Sequence, residues 1–499
     1  MSYLGIDLGT TGCKAVLFDA SGRALSSAYR EYEIIHDAPG HAELDALQVW
    51  AHVKNLMREC VTGSLEPVKA ISASSLGEAI VPVSENRLPL GNSLLNFDSR
   101  GSDLIPELQA VISDEELYTV NGNPLAPNYG LTKLYWYKKN QSELYEKTYK
   151  FLLWGSYILY MLGAEPVVDY ALANRTLMLD IEKEEWNTSF LDKLGFSAEK
   201  LPKLAEAGTV CGKVLPDLAN DLGFSSPPLL VVGTHDQCAN ALGCGVMEQG
   251  TAMYGMGTFH CIVSVSDERG NSNAMLSRGL NTEHHAVPGQ WVSFIYNQGG
   301  ILLKWFRDTF ALGVNEFSEV NIYEHLMHEM PAGPSPVSVL PHFTTTGPPS
   351  FIEKTSGNIS GLTIDTTRGD ICKGLLEGIA FYLKENLDNL PPGMAIHEFR
   401  IVGGGSKSDI WMQLTADILE RPCTRTVEAE AGALGAAMLA ACGCGRYENL
   451  QNAAAAMVVP GQTFFPDKSK SELYYPNYKR YRELYPRFGS FLAEYKNNN

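Results

Sequence analysis

Tyr3-Leu4-Gly5-Ile6-Asp7-Leu8-Gly9-Thr10-Thr11-Gly12-Cys13-Lys14-Ala15-Val16-Leu17-Phe18 is two short apolar runs joined by a centre of Gly and Thr, a pattern that reads as a β-hairpin. Glycine lets backbone N–H groups approach an anion closely, and a threonine hydroxyl beside them adds a donor. Asp7-Leu8-Gly9-Thr10-Thr11 therefore suits a turn that holds a phosphate, although a plain tight turn explains the segment taken alone. A carboxylate beside a phosphate needs a cation between them, and Mg²⁺ is the ordinary choice, which gives Asp7 a use. Lys14 adds positive charge nearby.

Working outward, the second half carries a related form. Ala252-Met253-Tyr254-Gly255-Met256-Gly257-Thr258-Phe259-His260-Cys261-Ile262-Val263-Ser264-Val265 again gives strand, G-x-G-T turn, strand. The two halves are expected to share one supersecondary unit, with a boundary near residue 244 and domains at 1–243 and 244–499. A third glycine turn, Gly403-Gly404-Gly405-Ser406, lies between a short strand at 399–402 and a helix at 409–419, and offers flat backbone on which an adenine or ribose can rest. Three such turns across two halves suggest one nucleotide held between domains. No GxxxxGK[ST] occurs, and the third turn lacks the G-x-G-x-x-G spacing and following acid of a dinucleotide site, which disfavours P-loop and NAD enzymes.

Leu229 to Asp236, Leu-Leu-Val-Val-Gly-Thr-His-Asp, reads as a buried strand ending in polar residues, with a helix starting at Gln237. Asp236 at that point is either a reactive carboxylate or the cap of the helix, since Asp is a good cap. The remaining pattern mixes strand and helix: a helix over 45–61, a strand over 68–74, helices over 368–387 and 432–442, and a Tyr- and Arg-rich closing helix from Lys470. That last stripe reads as core packing, not as a stacking platform for bases.

The bulk properties agree with a soluble two-domain enzyme. The 499 residues exceed what one core supports, 45% are hydrophobic and 19% charged, and the formal net charge is -18, which argues against nucleic-acid or anionic-lipid partners. Without a basic n-region, a long apolar run near the start or an 18-residue apolar stretch elsewhere, the sequence reads as cytoplasmic, with no membrane partner. The ten cysteines lack paired metal-ligand spacing and read as reduced thiols. His284-His285 reads as two ordinary polar residues, because adjacent side chains on a strand point to opposite faces.

The ordered set Gly5-Ile6-Asp7-Leu8-Gly9-Thr10-Thr11-Gly12, Gly233-Thr234-His235-Asp236-Gln237, Gly255-Met256-Gly257-Thr258, Gly403-Gly404-Gly405-Ser406 and Ala433-Leu434-Gly435-Ala436-Ala437 resembles the FGGY carbohydrate kinases over nearly the whole chain. The resemblance implies two actin/hexokinase-type domains with ribonuclease H-like α/β cores, closing over ATP, Mg²⁺ and a small sugar or polyol. It implies a sugar-binding first domain and a nucleotide-binding second one. Asp236 then stands where the family places its catalytic base, and Asp7 and Asp236 are the carboxylates for Mg²⁺, partly through water. Gly9, Thr10, Thr11, Gly257 and Thr258 match positions around the phosphates. Gly300 and Lys304, in Asn297-Gln298-Gly299-Gly300-Ile301-Leu302-Leu303-Lys304, and Gly403 to Gly405 match positions around the nucleotide. Ser408 stands where glycerol kinases have Asn beside the adenine. Substrate contacts are expected from Gly77, Glu78, Asp98 and Gln237; Glu78 departs from the Gln-Met-His-Gly of xylulokinases, and a solvated loop Glu is its alternative. Asp98 and Arg100 are expected as an ion pair in the pocket wall. A carboxylate at 78 favours a neutral polyol or ketose over an acid such as gluconate. Dimers are common in such families, so a homodimer is the assembly the resemblance suggests. A sensor that has lost catalysis on the same fold is the competing class.

Overall fold

The computed structural model describes residues 1–497 apart from 65, 312–321, 351, 353 and 392. The opening hairpin is present: β1 (Ser2–Leu8) pairs antiparallel with β2 (Gly12–Asp19), and β3 (Ala24–Glu31) extends the meander. The helix expected over 45–61 is α1 (Ala46–Val61). Asp45 caps it by accepting from the N–H groups of Leu47 and Gln48, and Val49, Trp50, Val53, Leu56, Met57 and Cys60 form its buried stripe. The chain then returns as β4 (Val68–Ser75), parallel to β1, and later adds β5 (Val210–Lys213) and β6 (Leu229–Val231). The order is β5-β6-β4-β1-β2-β3, with β6 parallel to β4 and β5 antiparallel to β6.

The strand expected over 229–236 is shorter than the apolar run suggests. β6 stops at Val231, and the chain runs on without ladder pairing except for a bridge between Ser75 and His235. Helix α2 (Asp236–Gly243) starts at Asp236 itself. Beyond β6 the Thr234 hydroxyl donates to Asp169 at 2.6 Å.

The second half repeats this design. β7 (Thr251–Met256), β8 (Phe259–Ser266) and β10 (Trp291–Gln298) form the antiparallel meander, with β9 (Glu283–His284) added at its outer edge. After helix α3 (Arg368–Asp388), β11 (Glu398–Val402) returns parallel to β7, and after α4 (Asp409–Leu419), β12 (Cys423–Thr426) lies parallel to β11. Helix α5 (Ala431–Gly443) follows, and β13 (Pro460–Phe464) closes the sheet antiparallel to β12. β10-β8-β7-β11-β12-β13 thus reproduces β3-β2-β1-β4-β6-β5 in order and direction. This is the duplicated α/β architecture expected from the resemblance, with α2 and α5 as equivalent helices.

Those two helices pack on each other, and α5 also lies on β1 and β4 of the first sheet. Contact is close because the sequence removes side chains there: a Cβ on Gly5 would stand 1.9 Å from the Ala433 carbonyl oxygen. Tyr3, Val16 and Phe18 share one buried cluster with Leu434, Met438 and Leu439. Each buried aliphatic side chain there contributes about 2 kcal/mol to holding the halves together.

The tail is the closing helix expected, Lys468–Asn497, with Tyr474, Tyr478, Tyr481, Leu484 and Leu492 in the second core. No helix among the described residues is long and apolar enough to cross a membrane. His284 and His285 are buried, and each Nε2 meets a backbone carbonyl, that of Ile181 at 3.1 Å and of Val246 at 3.2 Å.

Candidate active site

In an open α/β sheet, ligands gather beyond the carboxyl ends of the parallel strands, where loops diverge and backbone groups are free. β1, β4 and the chain continuing β6 end together: Leu76 N–H donates to the Leu8 carbonyl at 2.8 Å, and Ser75 N–H to the Thr234 carbonyl at 3.2 Å. This alignment brings Asp7, Glu78 and Asp236 to one edge of the first sheet.

Asp236 is the first residue of α2. The cap is His235, which makes no side-chain capping bond, so the Asp236 carboxylate is not consumed in capping. The side chain is 21% exposed, and His235 Nε2 lies 3.2 Å from its Oδ1. Burial, together with the negative charges of Asp7 and Glu78, pushes the Asp236 carboxyl up to about 8, with hydrogen bonds from Gln237 acting the other way. Burial and the Arg175 charge hold His235 well below the usual histidine range. His235 is therefore neutral, and it stands beside Asp236 without adding a positive charge.

Asp7 faces Lys14 across the hairpin and Ser74 across the parallel pair. The Ser74 hydroxyl donates to its Oδ1 at 2.6 Å. Its Oδ2 sits at the first turn of α5, where a Cβ on Gly432 would come within 2.8 Å. Burial raises the Asp7 carboxyl, and the Ser74 bond and the Lys14 charge partly offset this. Lys14 is engaged with Glu430, the residue that caps α5, so its charge is shared across the two halves and not left bare for a phosphate. The turn is braced: Gly9 N–H donates to the Gly12 carbonyl at 2.9 Å, and the Tyr32 hydroxyl donates to the Gly9 and Gly12 carbonyls. Thr11 is exposed, and Gly9 and Thr10 are half-buried.

On the second sheet the glycine segments converge. Gly300 N–H donates to the Gly257 carbonyl and Ile301 N–H to the Thr258 carbonyl, both at 2.9 Å. Gly403, with φ of 94°, is so close that a Cβ on it would stand 2.8 Å from the Met256 carbonyl oxygen. Gly403, Gly404 and Thr258 are exposed and Gly405 half-buried, leaving backbone for a flat ligand. Lys304 is exposed on the helix that Gly300 starts. The Ser408 hydroxyl is occupied: it caps α4 by accepting from Trp411 N–H at 3.2 Å and contacts Met327 Sδ at 2.9 Å.

The sugar wall differs in detail from the expectation. Glu78 is buried, not a solvated loop residue, and its Oε1 is paired with Arg175, whose Nη1 also donates to Glu283 Oε1 at 2.6 Å. Asp98 and Arg100 do form the expected ion pair, at 2.6 Å, and Arg100 also meets Glu43 at 2.6 Å. Asp98 is inaccessible and accepts the Ala42 N–H at 2.7 Å as well. With both oxygens committed, Asp98 shapes the wall and is not a direct substrate contact. Gly77 is buried behind Glu78, and Gln237 is half-buried beside Asp236. From the second half, Tyr296 stands near enough to Asp236, Glu78 and Cys261 for their charges to raise its hydroxyl, after burial as the main cause. A cavity of about 900 Å³ lined by Glu43, Asn92, Tyr137, Glu143 and Lys147 shares none of these residues except the Arg100 partner Glu43.

Arg175, Glu283, Glu430 and Tyr296 were not singled out from the sequence. A lone Arg within Ala171-Leu172-Ala173-Asn174-Arg175-Thr176-Leu177-Met178-Leu179 was the available signal, because an arginine among buried residues must be paired.

The donor set suits Mg²⁺. Among the described residues no group of three or more His, Cys, Asp and Glu side chains could hold a metal by itself, and Mg²⁺ commonly takes one or two carboxylates together with phosphate oxygens and water. Asp7 and Asp236, mutually repelling carboxylates at the edge of a phosphate turn, would hold it.

A model of the FGGY carbohydrate kinase N-terminal domain matches residues 2–243, and one of the C-terminal domain matches residues 251–444. The chain is 26% identical over 502 residues to the xylulose kinase of Bacillus subtilis, covering 97% of each. It is 28% identical over 515 residues to the autoinducer-2 kinase of Escherichia coli strain K12, covering 97% of this chain and 93% of that one. The solved structure of a ligand-bound xylulose kinase from Lactobacillus acidophilus matches it with a TM-score of 0.89 at 23% identity, over 99% of both chains. With both domain models matched in order, the chain belongs to the FGGY family of carbohydrate kinases, enzymes that phosphorylate sugars with ATP and Mg²⁺.

Proposed function

We propose that the protein transfers the γ-phosphoryl group of ATP to a hydroxyl of a neutral ketose or closely related polyol, with a xylulose-type ketose as the first candidate and Asp236 as the base. The single observation that carries the residue assignment is Asp236 itself: a carboxylate at the start of α2, free of any capping duty, with its pKa raised to about 8 by burial and by Asp7 and Glu78. A base with a pKa near working pH is suited to accept a proton from a sugar hydroxyl as its oxygen attacks phosphorus. The P–O bond to ADP then breaks, and the proton stays on Asp236. Such transfer asks little covalent work of the protein, so orientation and charge neutralisation suffice. Mg²⁺, held by Asp7 and Asp236, supplies neutralisation of phosphate charge. The backbone N–H groups and hydroxyls of Gly9, Thr10, Thr11, Gly257 and Thr258 orient the phosphates, while Gly300, Lys304 and Gly403 to Gly405 flank the nucleotide. Gln237 and Glu78 hold sugar hydroxyls.

The relatives called xylulose kinase support the ketose, and the excess of carboxylates around the cleft supports a neutral acceptor over an aldonic acid. We take the two domains to divide at 243/244, the end of α2, and the setting to be the cytoplasm, where ATP is supplied. The test is coupled ADP release over pentuloses, hexuloses, polyols, aldonic acids and autoinducer-2. Turnover with a neutral ketose or polyol is the expected result; the absence of ADP release with every acceptor would favour a silent sensor, and release with an aldonic acid alone would overturn the substrate class.

A further inference from the structure

An arginine beside a sugar pocket ordinarily suggests an anchor for an acidic substrate, because guanidinium and carboxylate pair in two-pronged fashion. Arg175 is not available for that. Its Nη2 is bound to Glu78 Oε1, and its Nη1 donates at 2.6 Å to Glu283 Oε1. Glu283 is itself steadied by the Asn281 amide at 2.6 Å. Burial opposes the Arg175 charge, but Glu283 and Glu78 outweigh it, so the guanidinium stays charged.

Three independent features show that the chain is shaped around this arrangement. Glu78 has φ of 54°, a left-handed conformation that is costly for a non-glycine residue. Gly77 leaves room: a Cβ there would stand 2.8 Å from Arg175 Cγ. The guanidinium lies 4.9 Å from the Tyr129 ring centre and 5.9 Å from that of Phe294. The arrangement is also unfinished, since Arg175 Nε and Glu283 Oε2 are buried without any hydrogen-bond partner. A network whose only task was to hold the fold would satisfy them.

We propose that Arg175 is a positioning residue that sets substrate specificity: it fixes Glu78 through one oxygen, leaves the other for a sugar hydroxyl, and, its charge countered by two carboxylates, gives an acidic sugar no free cation to bind. This rests on the kinase reading above and deepens it. Glu78 and Arg175 come from the first half and Glu283 from the second, so the site is complete only when both halves contribute.

The test uses the purified full chain and the best neutral acceptor from the ADP-release panel, with gluconate as the acidic probe. Glu283→Gln removes one carboxylate and keeps the shape. We expect KM for the neutral acceptor to rise on the order of tenfold with kcat within about threefold, and the preference for neutral acceptor over gluconate to fall on the order of tenfold. Arg175→Lys keeps the charge but not the fork, and should fail to restore the KM. The ADP-induced rise in melting temperature should be intact in Glu283→Gln, which separates this outcome from a folding defect. If Arg175→Lys does not fold, Glu283→Gln alone decides. An unchanged KM and unchanged discrimination in Glu283→Gln would overturn the inference while leaving the kinase standing. Wild-type turnover of gluconate but of no neutral acceptor would also overturn it. No turnover by the wild type with any acceptor would overturn the reading on which it rests.

Discussion

His235 Nε2 lies 3.2 Å from Asp236 Oδ1, and the imidazole is neutral, because burial and the nearby Arg175 charge keep it from protonating. The histidine therefore adds no positive charge beside the carboxyl it precedes. The burial and the Asp7 and Glu78 charges that favour the protonated form of Asp236 are opposed by hydrogen bonds from Gln237 instead.

Replacing His235 by Phe keeps a neutral ring beside the base. The pH at which kcat/KM reaches half its maximum should stay within about 0.3 of the wild type. An upward move of one or more would show that the imidazole carries charge there.

For the wild type, kcat/KM should rise with pH through about 8, the value for Asp236 without ligands, because the ionised form is the active one. Saturating Mg²⁺ should move that rise to lower pH, since a cation favours the carboxylate. Stability runs the opposite way. Asp236 ionises near 3.8 when unfolded and about 8 when folded, so folding takes up a proton between those values. Its contribution is fully present below the lower value and is lost as pH climbs through the upper one. Asp236→Asn removes this dependence. The melting temperature of the variant minus that of the wild type should become more positive from pH 5 to pH 8, and thermal melts across that range measure it.

The Ser74 hydroxyl donates to Asp7 Oδ1 at 2.6 Å, so on the proposed reading it would act on Mg²⁺ through that carboxylate. Ser74→Ala should raise the Mg²⁺ concentration for half-maximal activity on the order of tenfold. Asp7→Asn should raise it further and also lower the pH at which kcat/KM rises, by removing a negative neighbour of Asp236. Mg²⁺ titrations at several pH values separate the two effects.

Gly5 has no room for a side chain, with the Ala433 carbonyl 1.9 Å from where its Cβ would lie. Gly5→Ala should destabilise by about 1–3 kcal/mol and separate α5 from β1. A melting temperature within a degree of the wild type would contradict the close packing of α5 on the first sheet.

Much of this arrangement was legible in the sequence because glycine and aspartate have few alternatives at such positions. The hairpin at Gly9 to Gly12, the matching turn at Gly257-Thr258 and the helix at 409–419 are each marked by local chemistry, and local chemistry decided them. The strand expected over 229–236 stops at Val231, because apolar residues announce burial and not where a ladder stops; Thr234 beyond it bonds to Asp169, 65 residues away. Lys14 reads from the sequence as charge beside the turn, with no sign of the Glu430 that holds it. Glu430 lies 416 residues from Lys14, and Arg175 lies 97 residues from Glu78. Pairings at such separations depend on the assembled fold.

The central claim is that Asp236 is the base, and ADP release by Asp236→Asn against the acceptor that serves the wild type tests it most directly. Turnover should fall about a thousandfold or more while ATP still raises the melting temperature as in the wild type. Turnover within tenfold of the wild type would contradict the account.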